Sequence, residues 1–250
     1  MVEIAKYDGC DSSTLARLLD VPRVVVFDST ASTMDDAHGL AAVGAPAGTV
    51  LLADRQAAGR GRNGRRWASE GGQGIWMTIV ERPNDPRAVD VLSIRVGLRA
   101  AQALDRYAAA PIGLKWPNDL YVGDGKLAGI LIEARWRGNR IDWLAIGIGV
   151  NVREPRGVAS AAGLREGAAR VDILTELVPA ARSAAAARDV LTAREVEAFA
   201  GRDIARGRAC VEPITGDVMG INEAGELLVD TGAGVRAIRD GSLTFAGAPA

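Results

Sequence analysis

Two apolar runs, Thr49–Asp54 and Ile75–Val80, enclose a segment rich in glycine and arginine, and this order restricts the fold more than any other feature of the chain. Residues 59–64 read Gly-Arg-Gly-Arg-Asn-Gly, a literal Gly-x-Gly-x-x-Gly. That fingerprint binds a dinucleotide only where its glycines open a helix whose N-terminus receives the pyrophosphate. Here residues 68–74 include Gly71, Gly72 and Gly74, and each glycine inside a helix costs about 1 kcal/mol. The chain then enters Ile-Trp-Met-Thr-Ile-Val, which reads as a second strand. Strand–loop–strand excludes a Rossmann unit, even though Glu81 lies at a suitable distance downstream.

The loop itself has the composition of an anion holder. Gly59, Gly61 and Gly64 permit close backbone approach. Arg60, Arg62, Arg65 and Arg66 supply permanently charged forks that match phosphate or carboxylate oxygens. A second cationic feature lies in Leu114–Leu131. Of 30 basic residues only Lys6, Lys115 and Lys126 are lysine, and the last two fall within twelve positions of each other. A chain that otherwise writes its cations as arginine has a need there for compact point charges. Pro117, Asn118 and Asp119 form a turn, and Gly123-Asp124-Gly125 reverses the chain before the strand Leu127–Ala134. The two lysines are therefore expected at the ends of neighbouring strands of a hairpin. Upstream, the apolar run from Val24 is a strand, and Ser32 or Thr33 caps a helix that runs to about Val43 before Gly44. That hydroxyl pair is also placed to bind a ligand at the helix N-terminus. Leu144–Val152 is a strand carrying Gly147 and Gly149 and ending at Asn151; glycine inside a strand often marks close approach of a ligand or another backbone.

Taken in order, Ser32-Thr33, Gln56 through Trp67, Lys115–Asp119, Lys126–Leu131 and Gly147–Asn151 resemble the biotin–protein ligase family, across residues 24 to 152. The resemblance implies an α+β fold with a mixed sheet and flanking helices, like the class II synthetase and biotin–lipoate ligase catalytic domain. It implies ATP, biotin and Mg2+ as ligands, with a biotin carboxyl carrier domain as partner. Ser32, Thr33, Met34, Gln56, Gly59, Arg60, Gly61, Arg62, Lys126 and Gly129 match biotin-binding positions. Arg62, Arg65, Trp67, Lys115, Asn118 and Asn151 match the ATP and adenylate positions, and Asp119 matches a magnesium position. Lys126, Arg62, Lys115 and Asp119 are the expected catalytic group. Met34 departs from the asparagine common in the family. No Phe, Tyr or Trp follows the Gly-Asn strand before Ala198, where some relatives place an aromatic residue over the adenine.

The chemistry asks for these residue types independently. A carboxylate reacts only once its oxygen becomes a leaving group, and attack on ATP makes an acyl-adenylate. Both partners are anions, so positive charge must be aimed at the transferring phosphate. A mobile loop over the mixed anhydride would exclude water.

A net charge of −1 gives no whole-chain case for nucleic acid or membrane, and the N-terminus lacks a signal peptide's apolar core. A cytoplasmic enzyme, monomeric or weakly dimeric, is expected. Cys10 and Cys210 are too few for a disulfide framework, and His38, the only histidine, is expected as a plain surface residue of its helix. About 22 residues precede the first expected strand, too few for the winged helix of bifunctional relatives. The alternative reading is a lipoate or octanoate attachment enzyme of the same fold; the octanoyl-transfer branch needs a cysteine near a motif, and neither cysteine lies near one.

Val89–Tyr107 is expected as one amphipathic helix, and Leu127–Arg135 with Ile141–Val152 as a hairpin around residues 137–139. A flexible loop to about residue 168 and two helices follow, with Ala193–Arg206 the better helical signal. From residue 207, five short strands and their turn signals predict a small SH3-like barrel, ending in a frayed tail at 246–250. The expected division is a catalytic domain at 1–206 and the barrel at 207–250.

Overall fold

The computed structural model describes residues 2–3, 6–83 and 85–246. Strand β1 (Val2–Glu3) precedes helix α1 (Ser12–Leu18), whose first turn is capped by the Asp11 carboxylate accepting from the Thr14 N–H at 2.7 Å. Strand β2 (Arg23–Thr30) leads into α2 (Thr33–Ala42), with Ser32 as N-cap. Strands β3 (Thr49–Gln56) and β4 (Gly74–Glu81) then flank the glycine–arginine loop, as the sequence requires.

Residues 87–107 form two helices rather than one. The single turn α3 (Arg87–Asp90) breaks at Val91 before α4 (Leu92–Leu104), and a 3₁₀ turn covers Asp105–Tyr107. Asp105 leaves the helical path because its carboxylate accepts from the Ile112 N–H at 3.0 Å and from Arg202 at 2.6 Å. Strands β5 (Gly113–Lys115), β6 (Asp119–Val122), β7 (Gly125–Arg137) and β8 (Arg140–Asn151) complete the main sheet. Gly123-Asp124 joins β6 to β7, so Lys115 lies one strand further out than the hairpin reading placed it.

The sheet order is β1-β2-β3-β4-β8-β7-β6-β5, parallel only between β2 and β3 and antiparallel elsewhere. Period-two alternation splits its faces. On β8, Leu144, Ile146, Ile148 and Val150 are buried in the main core with α4 and helix α5 (Arg170–Ala186). Ala145, Gly147 and Gly149 point the other way, toward α2 and the glycine–arginine loop.

Residues 154–168 contain no helix or strand, but they are not loose. Lys126 donates its N–H to Ser160 at 2.7 Å and accepts from the Ala162 N–H at 3.0 Å. Helix α6 (Ala193–Ala200) opens with a Thr192–Glu195 capping box and stops well before Arg206. Tertiary pairing ends it: the Arg202 carbonyl accepts from Leu114 N–H and the Leu114 carbonyl from Ile204 N–H, so this backbone runs along β5. The longer helix is α5, although Pro179 sits inside it.

Beyond residue 207, β9 (Ala209–Glu212), β10 (Gly216–Ile221), β11 (Leu227–Asp230), β12 (Val235–Ile238) and β13 (Thr244–Phe245) form a second antiparallel sheet in the order β12-β11-β10-β9-β13, consistent with an SH3-like module. Cys210, Val218, Leu227 and Val229 join the same hydrophobic cluster as α4 and α5. Of the expected C-terminal tail, 247–250 lie outside the described residues. Among the described residues no helix is long and apolar enough to cross a membrane.

Candidate active site

The glycine–arginine loop is an ordered small hairpin. Gly59 accepts from the Trp67 N–H at 2.9 Å, Gly61 donates to Arg65 at 2.8 Å, and the chain reverses at Asn63 and Gly64, with φ of 55° and 72°. The hairpin covers a cleft of about 160 Å³ over the glycine-bearing face of the main sheet. Fourteen of the sixteen site residues expected from sequence line this cleft: Ser32, Thr33, Met34, Gln56, Arg60, Gly61, Arg62, Arg65, Trp67, Lys115, Asn118, Asp119, Lys126 and Gly129. Gly59 and Asn151 do not. Gly59 forms the loop's base, where a Cβ would lie 2.5 Å from the Trp67 carbonyl. Asn151, only 6% exposed, donates its amide to the Lys126 carbonyl at 3.1 Å, so it braces β7 from beneath.

One end of the cleft is polar and uncharged. The Gln56 carbonyl oxygen accepts from Thr33 N–H at 2.9 Å and Thr33 Oγ1 at 3.1 Å, while its amide donates to Ser69 at 2.9 Å. Thr33 Oγ1 also meets Thr78 Oγ1 at 2.9 Å. Thr78 was not legible as a site residue, because only the pairing of β3 with β4 brings it there.

The middle is apolar, and its shape is set by absent side chains. Trp67 lies across Gly129 and Gly149: a Cβ at Gly149 would come 2.5 Å from Trp67 Nε1, and one at Gly129 would come 3.0 Å from the ring. Met34 fills the space at Gly147, where a Cβ would meet its Cε at 2.7 Å. The strand glycines predicted the close approach of a ligand or another backbone; what approaches them here is instead two side chains of this chain, Trp67 and Met34. Gly149→Ala is expected to cost about 1–3 kcal/mol through overpacking. In a double-mutant cycle with Trp67→Ala, measured by denaturant unfolding, most of that cost should disappear. Strict additivity would show that the two residues do not meet.

The far end is charged. Lys126 Nζ lies 2.7 Å from Asp119 Oδ2 and 5.3 Å from the centre of the Trp67 ring. Asp119 Oδ1 and Trp67 Nε1 are both buried without a hydrogen-bond partner, and buried polar groups are rarely left so unless something else completes them. Burial holds the Lys115 ammonium below the usual lysine range, partly offset by the Asp119 charge and reinforced by Lys126, Arg208 and Arg65. Burial and then the Asp119 charge push the Tyr121 hydroxyl up to about 12. Asn118 clips the turn to β7, donating to the Ile130 carbonyl at 2.8 Å while its own carbonyl accepts from Ile130 N–H at 3.0 Å. Gly241, Ser242 and Leu243, in the segment between β12 and β13, also line the cleft, and the Phe245 ring centre stands 4.9 Å from Lys115 Nζ. Nothing in the local sequence of residues 241–245 signals this.

The cleft therefore offers neutral hydrogen-bonding groups, then an apolar trough, then a cationic end around one incompletely satisfied carboxylate. An elongated molecule with a polar head and an anionic tail fits that sequence of surfaces. A profile of the Biotin/lipoate A/B protein ligase family matches residues 26–151, the segment carrying nearly all of these groups. The bifunctional ligase/repressor BirA of Bacillus subtilis is 37% identical over 132 residues, covering 52% of this chain and 41% of that protein. The biotin–[acetyl-CoA-carboxylase] ligase of Mycobacterium tuberculosis is 38% identical over 135 residues, covering 52% of this chain and 49% of the relative. The matched region thus spans less than half the length of these curated relatives. Among solved structures, the biotin protein ligase from Aquifex aeolicus in complex with biotin and ATP superposes with a TM-score of 0.72 at 26% identity, covering 89% of this chain and 98% of the other. The match spans half of the chain, and on that ground the protein belongs to the biotin/lipoate A/B protein ligase family.

Proposed function

We propose that the chain is an ATP-dependent biotin–protein ligase, which forms biotinyl-5′-AMP from biotin and ATP and then biotinylates a lysine of a carboxylase's biotin carboxyl carrier domain. The observation that carries this reading is the single cleft joining Ser32, Thr33 and Gln56 at one end to Lys115, Asp119 and Lys126 at the other. The polar end suits the ring of biotin and the trough its valeryl chain. At the cationic end, a biotin carboxylate oxygen attacks the α-phosphorus of ATP; the new P–O bond forms as the α–β bridge breaks and pyrophosphate leaves. A carrier lysine amine then attacks the acyl carbon, the C–N bond forms, AMP departs and the amine proton passes to solvent. Lys126, Lys115, Arg62 and Arg65 stabilise the charge on phosphate and on the tetrahedral oxyanion. Asn151 acts from outside the cleft, by fixing the strand that carries Lys126.

Among the described residues no three metal-ligating side chains come together. Magnesium asks for less, since it is commonly held by one or two carboxylates and the substrate's phosphates. The unpartnered Oδ1 of Asp119 fits that demand and would hold it, supplying charge neutralisation at the phosphates. A cytoplasmic location and a division into a catalytic domain at 1–206 and a C-terminal module at 207–250 go with this reading. Cys10 and Cys210 are free thiols away from the cleft lining, which leaves an acyl-cysteine route without a nucleophile. Pyrophosphate release measured with Mg-ATP should depend on biotin, and a carrier domain should become labelled. Release with lipoate alone would overturn the biotin assignment in favour of the lipoate branch.

A further inference from the structure

On the outer flank of the glycine–arginine hairpin, charged side chains from three separate elements converge. Arg60 Nη1 donates to Asp35 of α2 at 2.6 Å, and Arg60 Nη2 donates to Glu133 of β7 at 2.5 Å. The other Glu133 oxygen lies 2.9 Å from His38 Nε2, and His38 Nδ1 lies 2.9 Å from Trp143 Nε1. An indole N–H only donates, so Nδ1 is the acceptor, and the proton on Nε2 goes to Glu133. The carboxylate is thereby oriented by a chain of hydrogen bonds running back to Trp143, 9% exposed within the smaller apolar cluster under α2. Glu133 and Trp143 face α2 because β7 and β8 alternate in register, Glu133 opposite Ala145 and Arg135 opposite Trp143.

We infer that Glu133, with Asp35, is a positioning residue that clamps Arg60 and so holds the glycine–arginine hairpin closed over the cleft. The hairpin's other flank carries weaker ties, Arg62 to Asp240 at 4.0 Å and Asn63 to Ser242 at 3.4 Å. Between these flanks the hydrogen bonds of the tip run within the hairpin, from the Gly61 N–H to the Arg65 carbonyl and from the Arg65 N–H to the Arg62 carbonyl, and the residues at 63–66 are exposed. Isolated exposed ion pairs contribute little, but here one guanidinium bridges two carboxylates, and one of those, 28% exposed, is itself held by His38. Arg60 then acts on the reaction through the loop. The inference rests on the proposed ligase activity only for its consequence in catalysis; the clamp itself is a statement about loop opening.

Trypsin reads that opening directly, because Arg60, Arg62, Arg65 and Arg66 all lie in the hairpin. On the full-length folded protein, Glu133→Gln should raise the cleavage rate at residues 60–66, mapped by mass spectrometry, by about fivefold. Asp35→Asn, at a more exposed position, should raise it in the same direction, and Glu133→Asp should restore part of the protection. Cleavage at other arginines should stay at the wild-type rate, which separates a freed loop from general loosening. Unchanged hairpin cleavage in both Glu133→Gln and Asp35→Asn would overturn the clamp. If the wild type makes adenylate, Glu133→Gln should also raise the share of activated biotin that labels bystander lysines rather than the carrier. If it makes none, the activity assignment fails while the cleavage result still decides the clamp.

Discussion

Lys126→Ala is expected to lower the single-turnover rate of adenylate formation by about 100-fold or more, the scale of losing one preorganised oxyanion donor. Lys126 enters the strand directly after the Gly123–Gly125 reversal, and its ammonium is held against Asp119 at 2.7 Å in the cleft. On the proposed reading it would meet the biotin carboxylate before reaction and, as the P–O bond forms, the charge shared with the phosphate. An interaction that strengthens in the transition state is lost as turnover more than as binding. Lys126→Arg should rescue only in part, because a guanidinium is bulkier and spreads its charge where a compact ammonium now pairs with one oxygen. If Lys126 were only a surface lysine of a hairpin, truncation would shift folding stability by no more than about 0.5 kcal/mol and leave turnover intact. A near-normal adenylation rate in the alanine variant would remove Lys126 from the chemistry.

The largest expected effect on stability lies away from the cleft, at Arg95. It is 1% exposed on α4, donating to both Glu195 oxygens, at 2.7 Å and 3.2 Å, and to the Val190 carbonyl at 2.9 Å. These bonds tie α6 and the turn before it to the helix behind the sheet. Arg95→Ala leaves a partly buried carboxylate and a carbonyl without their donor, which costs about 3–5 kcal/mol. The thermal midpoint should fall by roughly 10 °C for a chain of this length. Burial acts to raise the Glu195 carboxyl, but hydrogen bonds from Arg95 and Thr192 outweigh it and hold the group at about 2, against an ordinary value of 4.5. A carboxyl depressed on folding adds stability that is fully present above about pH 4.5 and lost as the pH falls through 2. The wild type should therefore lose stability across that window more steeply than Arg95→Ala. A loss below about 1 kcal/mol, or equal slopes in acid, would show that the pair does not hold α6 in place.

Sequence reading reached the main elements because their signals are local. Ser32 caps α2 as expected, and the glycine–arginine segment is a loop between strands because three glycines after Trp67 leave no room for a helix. It failed where a distant partner overrides local preference. The end of α4 at Leu104 and the end of α6 at Ala200 have no counterpart in periodicity: Asp105 pairs with Arg202, and residues 202–204 pair with β5. His38, expected as a plain surface residue, is instead engaged by Glu133 and Trp143, which lie about a hundred positions away in sequence.

The division in the cleft follows the same physics. Alternation along Leu144–Val150, with large apolar residues at even positions and alanine or glycine at odd ones, determined from sequence alone that one face of β8 is core and the other admits something close. The arginines and the two clustered lysines likewise raised the expectation of an anionic ligand, because charge and donor geometry are properties of the side chains themselves. Only the tertiary structure decided that Trp67 and Met34 occupy the glycine gaps, that Asn151 faces the Lys126 carbonyl, and that residues 241–243 line the cleft. Those contacts join segments separated by tens to more than a hundred residues, and close packing of the whole core selects them among the many pairings that composition alone allows.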